Sequence, residues 1–105
     1  MLDLVPGRVD ALIFRAAAYR RLDTLELAED DVTRALGLAP DNVDGLLERG
    51  IIRRLKGDVR GAQSDWLAIL RIAPDSPAAE FARLNIEKIA INGLSKTDRP
   101  AAPKR

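Results

Sequence analysis

Glu29-Asp30-Asp31 is the densest set of potential ligands in this chain of 105 residues, and carboxylates suit hard cations. Consecutive positions on a helix point in different directions, however, and no histidine or second cluster completes a coordination shell. A solvated helix face accounts for the run. Histidine and cysteine are both absent, which removes disulfides, thiolate and imidazole ligation, and the usual nucleophile–base pairs. Gly57-Asp58 and Gly61 do not form a phosphate-cradling loop and read as turn and close-packing glycines. The residues therefore imply no catalytic group, no metal and no cofactor, and the chain is read as not an enzyme.

Arg20, Arg21, Arg53, Arg54 and Lys56 are the remaining charged candidates. A formal charge of +1 gives no field to attract nucleic acid or an acidic membrane. No apolar run approaches the roughly 18 residues of a membrane span, and residues 1–20 lack the layout of a signal peptide. Cytoplasm and periplasm both fit. With 47% hydrophobic and 31% charged residues, the composition suits one small helical domain.

The elements that position these side chains repeat. Leu2-Asp3-Leu4-Val5-Pro6, Leu36-Gly37-Leu38-Ala39-Pro40 and Leu70-Arg71-Ile72-Ala73-Pro74 stand 34 residues apart. Sliding 9–41 over 43–75 gives eleven identities in 33 pairs, among them Arg15/Arg49, Ala28/Ala62, Asp31/Asp65 and Pro40/Pro74. Five helices are predicted, at about Val9 to Leu22, Leu25 to Leu38, a third ending at Lys56, a fourth ending near Ile72, and Ala78 to Asn92. Asp23 and Thr24, with Glu26, form a capping-box pattern for the second helix, Asp58 caps the fourth, and Ser76-Pro77 starts the fifth. Gly57 and Gly93 end their helices. Residues 94–105 carry Lys96, Arg99, Lys104 and Arg105 against Asp98 and are expected to form a disordered basic tail.

Leu12, Arg15-Ala16, Tyr19, Ala28, Val32 and Pro40, and again Leu46, Arg49-Gly50, Arg53, Ala62, Trp66 and Pro74, resemble the tetratricopeptide repeat (TPR). The resemblance covers about Met1 to Asn92 and implies an all-α, right-handed helical-hairpin solenoid. Its parts are a stub over 1–8 like the end of a preceding repeat, 34-residue repeats at 9–42 and 43–76, and a capping helix at 77–93. Ala16 and Gly50 are small where paired helices approach, and Trp66 fills core space. Arg15 and Arg49 stand where the family has an apolar residue, and Arg53 where Tyr19 stands in the first copy. Those three are expected to extend their stems over the core and hold their charge in solvent.

The first helix has almost no polar face, since Ala11, Leu12, Ile13, Phe14, Ala16, Ala17, Ala18, Tyr19 and Leu22 follow closely. A helix apolar all round is normally buried all round. The chain thus reads as the C-terminal piece of a longer array, or as one whose open face is covered by another copy through Leu2, Leu4, Phe14 and Ala18. The fifth helix, with Glu80, Arg83 and Glu87 on one face, reads as an end.

In the family the sequence resembles, ligands lie in a concave groove lined by the first helix of each pair. That carries onto Ile13, Ala17, Arg20 and Arg21, then Leu47, Ile51, Arg54 and Leu55, and Phe81, Asn85 and Lys88 on the last helix. The groove would be oily with a basic rim, although those cations also complement the negative ends of their helices. Ile13 and Ala17 occupy the places where chaperone-clamping members carry Lys and Asn, so that clamp is not expected. Two functions follow as expectations. One is a protein-interaction module holding a peptide or amphipathic helix of a partner. The other is an assembly domain that forms a homo-oligomer through its first helix.

Overall fold

A computed structural model describes residues 6–101, with side chains described for 8–90. The chain forms five helices: α1 (Pro6–Arg21), α2 (Leu25–Leu38), α3 (Val43–Leu55), α4 (Val59–Ile72) and α5 (Pro77–Ala101). No strand occurs among the described residues. Consecutive helices pack on one another as hairpins, α1 with α2 and α3 with α4, and α4 with α5. Alternate helices also touch, α1 with α3 and α3 with α5, so the odd-numbered helices form one continuous face.

Small residues set the spacing. Ala16, Ala28, Ala62, Ala79 and Ala82 are fully buried, around Val32, Leu46, Ile52, Trp66 and Ile69. A Cβ at Gly50 would lie 2.7 Å from Cδ1 of Trp66 and 2.8 Å from its Cε2, so the indole occupies the space a side chain would need. Trp66 is 0% exposed and meets Phe81 of α5 edge to face, with ring centroids 6.2 Å apart. Its Nε1 has no hydrogen-bond acceptor among the described residues.

The helix starts are set by side-chain oxygens. Gly45 N donates to Oδ1 of Asn42 and Gly61 N to Oδ1 of Asp58, each at 2.9 Å, and Ala79 N donates to Oγ of Ser76 at 3.1 Å. Gly57 ends α3 with φ +92°.

Four expectations are corrected. The capping box at Asp23 does not form: Asp23 takes a left-handed φ of 62°, and Thr24 is the N-cap without a side-chain cap bond. Asp23 ends α1 as Gly57 ends α3, because Asp tolerates that conformation better than most side chains. Gly93 does not end α5, and 94–101 are helical instead of disordered. A glycine weakens a helix by only about 1 kcal/mol, and Leu94 to Arg99 contains no residue that stops one. Residues 102–105 lie outside the described residues. The stub at 1–8 is divided, since Pro6 begins α1 while 1–5 lie outside the described residues. The fourth correction concerns Arg49 and Arg53, whose side chains are only 20% and 24% exposed, whereas Arg15 stays 55% exposed while pairing with Asp31.

Candidate functional site

Arg15 reaches across its hairpin to Asp31, with Nε donating to Oδ2 at 2.7 Å and Nη2 to Oδ1 at 2.9 Å. Arg49 does the same to Asp65, at 3.0 and 2.9 Å, and Arg53 Nη1 adds a contact to Asp65 at 3.3 Å. Asp31 is 5% exposed and Asp65 3%, so each carboxylate is buried and needs its guanidinium partner. Hydrogen bonding from Arg15 holds the Asp31 carboxyl below its ordinary range, and Asp65 raises the Arg49 guanidinium. Arg15 also lies over the Tyr19 ring, 5.8 Å from its centroid.

A second group of ion pairs joins the first hairpin to the third helix. Arg20 of α1 pairs with Glu48 of α3 through Nε and Oε2. From α3, Arg53 Nε reaches Oε2 of Glu29 at 3.3 Å, and Lys56 Nζ lies 2.6 Å from Glu29 and 3.2 Å from Glu26. Hydrogen bonding from Lys56 lowers the Glu29 carboxyl, and Glu29 in turn raises the Lys56 ammonium. The acidic run is therefore not simply a solvated face. Asp30 is exposed, whereas Glu29 and Asp31 anchor cations of two different helices.

Glu48, Asp31 and Asp65 were not singled out by sequence reasoning as ion-pair partners. The signal was present for two of them: Arg15 and Arg49 recur at the repeat period, Asp31 and Asp65 recur with them, and each pair spans sixteen residues.

The face made by α1, α3 and α5 collects the expected groove residues unequally. Arg21, Arg54, Leu55 and Lys88 are exposed, and Ala17, Leu47 and Ile51 are half-buried. Phe81 is 37% exposed. Three others are committed to the fold. Ile13 is buried against the site of Gly45, Arg20 is held by Glu48, and buried Asn85 donates Nδ2 to the Phe81 carbonyl at 2.9 Å. The close approach of α1 and α3 at Gly45 covers Ile13 and accompanies the Arg20–Glu48 pair, whereas Asn85 is held by the backbone of its own helix.

Leu47 and Phe81 converge. With Val43, Asp44, Ser76, Pro77 and Ala78 they line a cleft of about 440 Å³ between α3 and the start of α5. Apolar walls and a single carboxylate at the rim suit an apolar side chain of a ligand. A second cleft of about 450 Å³ lies between α4 and α5, bordered by Leu67, Leu70, Leu84 and the charged Glu80, Arg83 and Glu87. Of the residues expected to mediate self-association, Phe14 and Ala18 are exposed on α1, and Leu2 and Leu4 lie outside the described residues. No helix among the described residues is long and apolar enough to cross a membrane.

No protein-family model matches this chain, and no curated protein aligns with it.

Proposed function

We propose that the chain is a non-catalytic, tetratricopeptide-like binding module, built as a right-handed solenoid of two 34-residue hairpins and a closing helix. It holds a peptide or amphipathic helix of a partner protein against the face of α1, α3 and α5. The observation that carries this reading is the meeting of Leu47 and Phe81 in a cleft of about 440 Å³, with Ile51 half-buried and Leu55 exposed farther along the same face. An apolar anchor of the ligand enters the cleft, and Arg21, Arg54 and Lys88 border the path beyond it. The recurrence of both hairpin ion pairs 34 residues apart supports the repeat reading.

The test is selection from a displayed peptide library followed by calorimetric titration of the enriched peptides. Leu47→Glu/Ile51→Glu is expected to weaken binding at least about tenfold, as loss of central apolar contacts does. Leu67→Glu, in the other cleft, should leave it unchanged. A library that enriches nothing, or peptides indifferent to Leu47→Glu/Ile51→Glu, overturns the reading.

A further inference from the structure

Ala11, Phe14, Ala18 and Leu22 run along one side of α1 and are all exposed, Phe14 by 75% and Leu22 by 72%. Their equivalents one period later are Gly45, Glu48 and Ile52 on α3, followed by Lys56, and two periods later Ala79, Ala82 and Ile86 on α5. Gly45, Glu48, Ile52, Ala79 and Ala82 are buried, and Ile86 is half-buried. Contact with the preceding hairpin accounts for that burial, since a Cβ at Gly45 would meet Leu36 of α2 at 3.0 Å. The stripe on α1 is thus the same helix side, with a large apolar residue where α3 carries Glu48 and with no helix of this chain over it among the described residues.

We infer that this side of α1 pairs with α1 of a second copy, antiparallel about a two-fold axis. The charges bordering the stripe select that occupant. Asp10 and Arg21 are exposed and lie three helical turns apart on one flank of the stripe. In an antiparallel pair each flank meets the same flank of its partner. Asp10 of each copy therefore faces Arg21 of the other, and Phe14 falls beside the partner's Ala18, a large residue against a small one. A parallel pair would instead set this flank against the opposite one at equal height, so Asp10 of one copy and Arg21 of the other would lie at opposite ends and could not meet. The opposite flank carries Arg15 near the two-fold axis. Asp31 already neutralises that guanidinium in each copy, so its approach to its twin carries little repulsion. The closed two-fold contact uses one patch on both copies, as isologous dimers require. It leaves the cleft between α3 and α5 unoccupied, so the peptide-binding reading can fail while this one stands.

Sedimentation equilibrium of the full chain over a hundredfold concentration range tests it, with circular dichroism to confirm that each variant is folded. The wild type is expected to reach a dimer. Phe14→Glu places in α1 the residue that α3 carries at the equivalent site, so helix content should hold while dimerisation weakens by more than about a hundredfold. Asp10→Arg and Arg21→Asp are each expected to weaken the dimer by about two- to thirtyfold, since each alters two exposed ion pairs. The double exchange Asp10→Arg/Arg21→Asp should restore it. A wild type that stays monomeric across the range overturns the proposal and leaves the face to a helix of another protein. A dimer indifferent to Phe14→Glu overturns it as well, and a double exchange that fails to restore association overturns the antiparallel register.

Discussion

Trp66 has no freedom to move away from Gly50, because its ring is enclosed and its far edge is fixed against Phe81. Gly50→Ala is therefore expected to destabilise the chain by about 1–3 kcal/mol although it adds one methyl group, since an enclosed site relaxes poorly around extra volume. Gly37→Ala is the control, because a Cβ there meets nothing within 4 Å; urea unfolding of the two variants separates the effects, and equal stability would sink this account of the packing. Titration provides a second check. Asp31 and Glu29 have carboxyl pKa values lowered from 3.8 and 4.5 by hydrogen bonds from Arg15 and Lys56. Groups lowered in this way contribute stability that is fully present above those ordinary values and is lost as pH falls through the lowered ones. Unfolding midpoints measured from pH 7 to pH 2 should hold above about pH 5 and fall below about pH 4. Asp31→Asn should start lower at pH 7 and show a shallower acid loss. A wild-type midpoint that is flat into acid contradicts the role given to these pairs.

Each hairpin is one element used twice, and its two versions differ where an experiment can reach. Thr24 and Asp58 occupy the same place with nearly the same backbone, φ −97° and ψ 70° against φ −89° and ψ 77°. Asp58 accepts the Gly61 N–H, whereas Thr24 makes no cap bond. Thr24→Asp should therefore supply the missing cap and stabilise α2 by about 0.5–1 kcal/mol, seen as a rise of about 2–8 °C in the thermal midpoint. No rise would mean that the turn at Asp23 holds the carboxylate away. The hairpins also share a cross-link, and Arg49→Leu, which leaves Asp65 buried with only the longer Arg53 contact, should cost about 1–3 kcal/mol. Adding Asp65→Leu should recover part of that loss, and a double-mutant cycle with no coupling would remove the ion pair from the account. These differences also mark how far the sequence could be read. Helix boundaries from α2 to α4 followed from Leu25, Asn42, Asp58 and the turns at Pro40 and Gly57, because those signals act within a few residues. That Gly50 sits at a close helix approach and that Trp66 fills core space followed from the period, but their contact with each other did not. The partners of Arg15, Arg49 and Arg20 did not, since a charged residue near a core looks the same in one dimension whether it snorkels or finds a carboxylate sixteen or twenty-eight residues away. Nor does the sequence show the burial of Ile13 and Asn85 or the pairing of Arg20 with Glu48, because these depend on how the helices come together in three dimensions.

The two halves of the molecule are joined by different physics. Between the first hairpin and α3, charge pairs border an apolar contact of Leu36 with Gly45: Arg20 with Glu48, Arg53 with Glu29, and Lys56 with Glu29 and Glu26. Between α4 and α5 the contact is apolar, with Ala79 and Ala82 fully buried and Phe81 set on Trp66. Units that touch mainly their neighbours have stabilities that add repeat by repeat, so weakening one junction should release its own end of the chain first. Raising ionic strength from roughly 0.01 M to 1 M shortens the screening length from about 30 Å to about 3 Å, which weakens partly exposed pairs and leaves apolar contacts in place. Amide hydrogen exchange should then quicken in α1 and α2 by roughly three- to tenfold relative to α4 and α5. Glu48→Gln should reproduce part of that asymmetry at low salt, because it removes the charge facing Arg20 and touches nothing in α4 or α5 that these contacts describe. Exchange that quickens equally in all helices would mean that the chain opens as one unit, and that the charged junction is no weaker a link than the apolar one.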